Sequence, residues 1–307
     1  MKSSINCHTR DLTARKKCCV FTFVRNENVF LPIWLKYYSK FFSGSDIYVL
    51  DHSSDDGSVA ECRKKYDFNV VDIPFVSYNV ALKTSVARKK QADLLNVYEY
   101  VLYADADEII IPHPRRYKDL NCYIKQLKKD YCFCKGYDLL QMKNETPINL
   151  DMPILRQRKY WSFSPDYCKP LLSKKPLEWE LGFHNAKNIA RNIENDLLLL
   201  HLHRMDFKIA WEKLQQIKSW EWDETQNRKD DISWQFRIKD KEKFELYFRP
   251  PDLKKERWWF IIAYAFIKIV LIVCKSPRAS SLSERGYMYF RSHVYKKIPK
   301  CLIGKSI

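Results

Sequence analysis

Two aspartates separated by one residue, Asp105 and Asp107, follow an apolar strand-like run that ends at Ala104. Paired carboxylates are hard oxygen ligands of the kind that Mg²⁺ or Mn²⁺ accepts while it also binds substrate phosphates. The pattern therefore predicts a divalent cation at Asp105 and Asp107, acting as a Lewis acid on a departing diphosphate. Acidic pairs also occur on ordinary surface loops, so the position at the end of a strand carries the prediction.

Three histidines downstream of the aspartates are candidates to complete such a site: His184, His201 and His203. Imidazole is an acceptable ligand for Mn²⁺, and the apolar run that ends at Leu200 leads directly into His201. We predict His203 as the third metal ligand, with His201 and His184 as alternatives. The competing interpretation for each is a structural histidine with satisfied hydrogen bonds.

Polar residues also follow two earlier strand-like runs and are expected at the same edge of a sheet. Arg25 and Glu27 follow the first run, and Asp51 follows the second. Because a carboxylate accepts hydrogen bonds from a base or a ribose, we predict that these residues hold a nucleoside. The loop after Asp51 is equally typical of a turn that caps the next helix through Asp55 or Asp56.

Basic residues lie on or before the helical run that leads into the acidic strand. Lys83, Arg88 and Lys89 are placed where cations can reach a diphosphate. Arg88 is the strongest candidate because a guanidinium binds phosphate through two parallel hydrogen bonds. A solvated helix face is the alternative for each of the three.

The elements that must position these residues alternate between strand and helix. Continuous apolar runs predict buried strands, and apolar residues at helical spacing predict amphipathic helices. Strands are predicted at 18–24, 46–50, 68–73 and 100–104, and helices at 29–42, 59–66 and 83–99. This order indicates an α/β fold with a Rossmann-like, mainly parallel sheet flanked by helices. Ligands of such sheets bind at the carboxyl ends of the strands.

The composition favours one large globular domain with an appendage. The chain has 307 residues, of which 46% are hydrophobic, and this excludes disorder throughout. Its ten cysteines lack the paired spacing of a zinc site, and no apolar signal core is expected at the start, so reduced thiols in the cytoplasm are predicted. Cys18, Cys19, Cys132 and Cys134 lie in apolar runs and are predicted to be core residues.

The carboxy-terminal segment 249–307 carries much of the net charge of +17, since residues 251–307 contain 12 Lys or Arg and only 3 acidic residues. An apolar run at 258–274 is shorter than the roughly 20 residues of a membrane span and is interrupted by Lys268. Cations at both ends favour an interfacial helix on an anionic membrane surface. A buried helix and a true span are the alternatives. A basic tail is expected at 1–17.

Three motifs, in order and spacing, resemble family 2 glycosyltransferases and related GT-A enzymes. They are Arg25-Asn26-Glu27, Asp51-His52-Ser53-Ser54-Asp55-Asp56-Gly57-Ser58, and Asp105-Ala106-Asp107-Glu108 with Pro112. Gly182-Phe183-His184 and His201-Leu202-His203 resemble later histidine motifs of a subgroup, so the resemblance covers about residues 18–210. It implies a GT-A fold, a metal-binding histidine near His203, and a nucleotide-sugar donor held at Arg25, Glu27, Asp51, Asp105 and Asp107.

The resemblance further implies an enzyme that moves a sugar from a UDP- or GDP-linked donor to a saccharide or glycolipid acceptor. We predict that the GT-A domain extends over 18–248, with a nucleotide-sugar half at 18–114 and an acceptor half at 115–248. The tail after this domain is similar to those of lipopolysaccharide-core and capsule transferases. Inverting transfer, peripheral attachment to the cytoplasmic face of a membrane and a role in surface polysaccharide or glycoconjugate synthesis are therefore expected.

An inverting transfer needs a carboxylate that takes the proton of the acceptor hydroxyl. The Glu-Asp doublet common in family 2 is not evident after Asp105-Ala106-Asp107. Glu180 is predicted as the base because it lies downstream of the metal site and beside Trp161 and Trp179, whose ring faces are predicted to stack on sugar rings. Glu178 and Asp166 are alternatives, and a surface carboxylate is the competing interpretation for each.

Two other classes of protein fit part of the pattern. A sugar-phosphate nucleotidyltransferase shares the sheet and the acidic site, but it would carry a Gly-rich phosphate loop where the first strand here leads into Arg25-Asn26-Glu27. A basic membrane- or nucleic-acid-binding protein without catalysis explains the charge. That class leaves the strand-end carboxylates unexplained, and no nucleic-acid partner is predicted.

Overall fold

A computed structural model describes residues 16–223, 238, 240–248 and 295–303. The predicted tail up to residue 15 and the apolar run at 258–274 lie outside the described residues. Within the described ranges, no helix is long and apolar enough to cross a membrane.

The first half of the domain alternates strand and helix, as the hydrophobic pattern predicted. The strands are β1 (Lys16–Val24), β2 (Ile47–Asp51), β3 (Asn69–Asp72) and β4 (Tyr98–Tyr103), and the helices are α1 (Phe30–Tyr38), α2 (Ser58–Arg63) and α3 (Val80–Leu95). The four strands are parallel and lie in the order β3-β2-β1-β4. Their carboxyl ends therefore meet at one edge of the sheet.

The second half extends the same sheet, mostly with antiparallel pairs. Its elements are β5 (Glu108–Pro112), α4 (Leu120–Gln126), β6 (Tyr131–Leu140), α5 (Ile154–Gln157), β7 (Tyr160–Phe163), β8 (Pro170–Ser173), β9 (Ile193–His201), α6 (Phe207–Ser219), α7 (Lys241–Phe248), β10 (Lys296–Lys297) and α8 (Lys300–Ile303). The strand order is β10-β7-β6-β8-β4-β1-β2-β3, and β9 pairs with both β5 and β6. The predicted α/β fold is confirmed, with parallel pairing in β1–β4 and between β6 and β9.

The strands are buried because they are apolar almost throughout. The last seven residues of β1 and all five residues of β5 are buried. Cys18, Cys19, Cys132 and Cys134 are buried free thiols, as predicted. The sheet therefore forms the core that fixes the strand ends.

Helices α3 and α6, which carry Lys83 and Lys213 to this edge of the sheet, both begin at a capping side chain. At the start of α3, the Asn79 side chain accepts a hydrogen bond from the backbone N–H of Leu82 at 2.9 Å. At the start of α6, Asp206 accepts from the backbone N–H groups of Lys208 at 2.9 Å and Ile209 at 3.2 Å. Such caps satisfy free donors of the first helical turn and fix where each helix begins.

Candidate active site

A cavity of about 200 Å³, called here the triplet cavity, lies at the carboxyl edge of the sheet. Its charged and imidazole lining residues are Glu27, Lys83, Asp105, Asp107, Glu108, Lys169, His201, His203 and Lys213. Aromatic residues, among them Tyr78, Tyr167 and Trp220, form part of its wall. Ligands of α/β sheets bind at the carboxyl ends of the strands, in cavities where a few polar or charged groups converge.

Asp105 is held by two lysines and a tyrosine. Lys83 Nζ donates to Asp105 Oδ1 at 2.7 Å, the Tyr103 hydroxyl donates to the same oxygen at 2.5 Å, and Lys169 Nζ donates to Oδ2 at 3.2 Å. Burial alone would raise the pKa of Asp105, but the charges of Lys83 and Lys169 outweigh it and hold this pKa well below its usual range. Asp105 is therefore an ionised carboxylate with both oxygens engaged.

Lys169 joins two members of the acidic cluster. Its side chain is only 5% exposed, and its Nζ also lies 2.6 Å from Glu108 Oε1. Burial opposes the charge of Lys169, but Glu108 and Asp105 together raise its pKa above the usual value. Lys169 is therefore a buried ammonium group that bridges two carboxylates.

The sheet register gathers a second charged chain around His201. In β9, His201 lies opposite Glu108 of β5 and opposite Asp138 of β6. Its Nε2 is 3.2 Å from Asp107 Oδ2, and its Nδ1 is 2.8 Å from Asp138 Oδ1. Burial opposes the imidazolium, but the two carboxylates raise the pKa of His201 to about 9. Burial likewise opposes ionisation of Asp107, and His201 lowers the pKa of that carboxyl to about 2.

Gly136 allows the ring of Tyr167 to lie over His201. Tyr167 stacks on His201 with ring centroids 3.9 Å apart. A Cβ atom at Gly136 would lie 2.3 Å from the backbone carbon of Tyr167, closer than real Cβ contacts. Only glycine at this position of β6 therefore lets Tyr167 approach closely enough to cover the imidazole.

His203, the predicted third metal ligand, lines the same cavity as Asp105 and Asp107. Burial and the positive charge of His201 lower the pKa of His203 to about 4, which leaves a neutral ring, the form that binds metals. Among the residues that the structure describes, however, no group of three or more His, Cys, Asp or Glu side chains is positioned to hold a metal ion. The described arrangement pairs the two aspartates with Lys83, Lys169 and His201 instead.

Glu27 reaches the cavity from the loop after β1. Lys213 of α6 is 2.8 Å from Glu27 Oε1 and donates to the backbone carbonyl of Asn26 at 2.9 Å. Burial raises the pKa of Glu27, and Lys213 partly offsets this shift. Beside this pair, Tyr78 and Trp220 contact each other with ring centroids 4.8 Å apart and present an aromatic wall.

Arg25 and Asp51, which were predicted to bind a nucleoside, form hydrogen bonds to the loop after β2 in this structure. Arg25 Nη1 donates to the backbone carbonyls of His52 at 2.7 Å and Ser53 at 2.9 Å. Asp51 Oδ1 accepts from the backbone N–H of Ser54 at 3.0 Å and from its hydroxyl at 2.6 Å. Neither Arg25 nor Asp51 lines the triplet cavity, and both fix the loop that follows β2.

Arg88 and Trp179 contact each other away from the cavity lining. Arg88 Nη2 donates to the backbone carbonyl of Trp179. The Trp179 side chain is 0% exposed, and its Nε1 donates to the carbonyl of Pro170 at 2.8 Å. In this arrangement neither face of the Trp179 ring is open to a sugar.

Glu180, Trp161 and His184 also lie outside the triplet cavity. Glu180 is exposed, as are the alternatives Glu178 and Asp166. Trp161 stacks on Tyr137 with centroids 4.1 Å apart, and the ring of His184 contacts the backbone carbonyl of Asp166. The structure therefore brings Glu27, Asp105, Asp107 and His203 together in one cavity. Glu180, Trp161 and His184 do not line it.

Among the cavity-lining residues that sequence reasoning missed are Lys169, Lys213, Tyr78 and Trp220. A buried lysine is almost always paired, but the sequence around Lys169 does not show that this lysine is buried. None of the four carried a local signal.

Neither a family model nor a curated protein matches the sequence. Among solved structures, the chain is similar to TarS from S. aureus (15% identity, 89% of each chain covered, TM-score 0.34). It is also similar to the mannosyltransferase PcManGT from Pyrobaculum calidifontis in complex with GDP-Man and Mn²⁺ (13% identity, 90% of this chain and 81% of that chain, TM-score 0.35). A third is a cytidylyltransferase from Leptospira borgpetersenii (10% identity, 43% and 57%, TM-score 0.24). At these TM-scores the similarity adds nothing about the activity.

Proposed function

We propose that the chain is a glycosyltransferase that moves a sugar from a UDP- or GDP-linked donor to a saccharide or glycolipid acceptor. The observation that supports this most is that three cations contact the two aspartates: Lys83 and Lys169 pair with Asp105, and a protonated His201 pairs with Asp107. Fixed cations in a water-poor site stabilise the negative charge that develops on a departing diphosphate. Such a site suits transfer from a nucleotide diphosphate better than simple binding of a neutral ligand.

The donor's nucleoside is proposed to lie between Glu27 and the aromatic wall of Tyr78 and Trp220. An aromatic face stacks on a nucleobase, and a carboxylate accepts hydrogen bonds from a base or ribose. Arg25 and Asp51 contribute to donor binding by fixing the loop after β2. With a volume of about 200 Å³, the cavity holds only part of a nucleotide sugar, so the remainder extends over its rim.

In the proposed reaction, an acceptor hydroxyl oxygen attacks the anomeric carbon and the bond to the diphosphate breaks. The leaving group takes the bonding electrons, and a carboxylate takes the hydroxyl proton. Inversion and a base at Glu180, with Glu178 and Asp166 as alternatives, stay predictions. Because Glu180 is exposed, it can serve only an acceptor that approaches from the solvent side.

A divalent cation, Mn²⁺ or Mg²⁺, at Asp105, Asp107 and His203 also stays a prediction. Two carboxylates and a neutral imidazole have the right chemistry for such an ion. The lysines on Asp105 and the imidazolium on Asp107 would first have to leave those oxygens. Metal dependence is measured by removing divalent ions with EDTA and restoring Mn²⁺ or Mg²⁺.

The proposal is tested with a panel of UDP-, GDP- and CMP-linked sugars, measured for binding, hydrolysis and transfer with and without Mn²⁺. We expect turnover of one donor by the wild-type chain and a loss of at least about 100-fold in Asp107→Asn, because a charge at the reacting centre is removed. Asp130→Asn, at an exposed carboxylate outside the cavity, is the matched control and should retain full activity. If the wild-type chain neither binds nor turns over any donor, the proposal is wrong.

The nucleotidyltransferase alternative is examined in the same assay. Nucleoside triphosphate and sugar 1-phosphate replace the donor, and pyrophosphate release is measured. Peripheral attachment to the cytoplasmic face of a membrane rests on the apolar run at 258–274, outside the described residues. Deleting 258–274, which leaves residues 295–303 in the chain, should release the protein from anionic vesicles if that proposal is correct.

A further inference from the structure

A second cavity, of about 340 Å³, lies at the other end of two strands that reach the triplet cavity. His113 follows the end of β5, whose first residue Glu108 lines the triplet cavity. Asn195 lies near the start of β9, whose last residue is His201. At about 3.3 Å per strand residue, His113 is roughly 16 Å from Glu108. The second cavity is therefore a separate site, and its volume is within the range of about 300–1,000 Å³ typical of small-molecule pockets.

The polar lining of the second cavity is basic. Its charged and imidazole side chains are His113, Arg115 and Lys135, and no carboxylate lines it. Within the described part of the chain, neither Arg115 nor Lys135 forms an ion pair with a carboxylate. Lys135 is oriented by a hydrogen bond from its Nζ to Asn195 Oδ1 at 3.0 Å.

His113 adds a directed donor to this lining. The backbone N–H of Arg115 donates to His113 Nδ1 at 3.4 Å. With Nδ1 accepting this bond, Nε2 is the ring nitrogen that can donate. His113 can therefore donate a hydrogen bond to an anion in the cavity.

The two acidic residues next to Asn195 in sequence are already paired with other cations. Glu194 and Asp196 flank Asn195 in β9. Glu194 is 2.6 Å from Lys129, and Asp196 contacts Arg116. Neither Lys129 nor Arg116 lines the cavity. The positive charge of Arg115 and Lys135 is thus left for a ligand.

The rest of the lining, called here the apolar wall, is largely apolar and is completed by the carboxy-terminal part of the chain. Tyr137 and Trp161 stack face to face, with an interplanar angle of 15°. Lys296 of β10 pairs with Trp161, and the Ile298 N–H donates to the Lys159 carbonyl at 2.9 Å, which holds residues 295–303 against the domain. From this segment Pro299, Cys301 and Leu302 line the cavity. A ligand here meets both cations and an apolar surface within one cavity.

We propose that the second cavity binds a phosphate-bearing ligand whose remaining part packs against the apolar wall. A phosphate group matches an arginine, a lysine and an imidazole N–H donor, because charge-assisted hydrogen bonds to its oxygens satisfy all three. A soluble sugar phosphate and a phospholipid headgroup share this chemistry. The site does not depend on the proposed transferase activity, since it uses none of the residues of the triplet cavity.

The test measures binding of glycerol 3-phosphate to the full chain by calorimetry, and cosedimentation with phosphatidylcholine vesicles with or without phosphatidic acid. We expect saturable binding that weakens at least 10-fold in Arg115→Met/Lys135→Met. The control Lys64→Met/Lys65→Met removes two exposed charges elsewhere and should bind like the wild-type chain. Binding of the free probe identifies a soluble ligand, and binding confined to the acidic vesicles identifies a lipid headgroup.

Three results would overturn the site: no binding of either probe, equal binding by both double variants, or an equal loss in both. Equal binding would mean that the probe follows the net charge of the chain rather than the cavity. If the cavity variant does not fold, Arg115→Gln replaces it, because Arg115 is exposed and its side chain is readily replaced. That single variant should still weaken binding several-fold.

Discussion

In the triplet cavity the acidic side chains face cations, whereas in the second cavity the cations Arg115 and Lys135 face no carboxylate. Lys169 lies within 3.2 Å of both Asp105 and Glu108. The triplet cavity is therefore organised before any ligand arrives, and a ligand must exchange partners with its own charges. The second cavity instead offers uncompensated positive charge to a ligand.

This difference has an energetic consequence. Removing one partner of a buried ion pair leaves an uncompensated charge in a medium of low polarity, which is strongly destabilising. Removing an exposed cation without a partner changes little. Substitutions in the two cavities should therefore differ in their effect on the free energy of unfolding, even when each removes a single positive charge.

The largest effect is expected from Lys169→Met, because Glu108 is only 1% exposed and both Glu108 and Asp105 would lose their bridge. We expect a loss of about 3–5 kcal/mol in the free energy of unfolding, measured by urea denaturation. Adding Glu108→Gln to this variant should recover part of the loss. Lys174→Met, at a half-exposed lysine paired with Asp130, is the control and should change stability by less than about 0.5 kcal/mol. Equal stability of the Lys169 and Lys174 variants would contradict the bridge.

The part of the site that the sequence predicted is the part that short motifs encode. Asp105 and Asp107 directly follow a strand, and Glu27 lies in a loop between a predicted strand and a predicted helix, so hydrophobic periodicity was enough to place them at one edge. Lys169 contacts Asp105 from 64 residues away along the chain. Lys213 is one of 54 basic residues and reaches the loop after β1 from 187 residues away. No local pattern encodes contacts of that range.

The aromatic side chains illustrate the same limit. Trp161 and Trp179 were predicted to face the acceptor because they lie near Glu180 in sequence. The structure buries Trp179 and places Trp161 in the second cavity, while Tyr78 and Trp220 line the triplet cavity. Which of nine tryptophans faces a ligand depends on tertiary packing rather than on neighbours along the chain.

An intermediate effect is expected from Asp138→Asn, at a residue that contacts the cavity-lining His201. Asp138 is buried and holds His201 Nδ1 at 2.8 Å, opposite the contact of His201 with Asp107. The Asn amide oxygen can still accept from Nδ1 but carries no charge, so the substitution should cost about 1 kcal/mol or more in the free energy of unfolding, since hydrogen bonds to charged groups contribute more than neutral ones. The Nδ1 proton resonance of His201 in NMR spectra should shift upfield or disappear by exchange. A variant with unchanged stability and an unchanged resonance would show that Asp138 does not hold this ring.

The smallest effect is expected from Arg115→Met in the second cavity. Because Arg115 is exposed and has no carboxylate partner among the described residues, the change in free energy of unfolding should stay within about 0.5 kcal/mol. The same substitution should reduce the stabilisation that glycerol 3-phosphate gives the wild-type chain, since a ligand stabilises the folded state in proportion to its affinity. A cost above about 1 kcal/mol without ligand would mean that Arg115 has a structural partner. The two cavities would then hold their charges in the same way, and the stability cost of a lost cation would no longer separate a paired site from an open one.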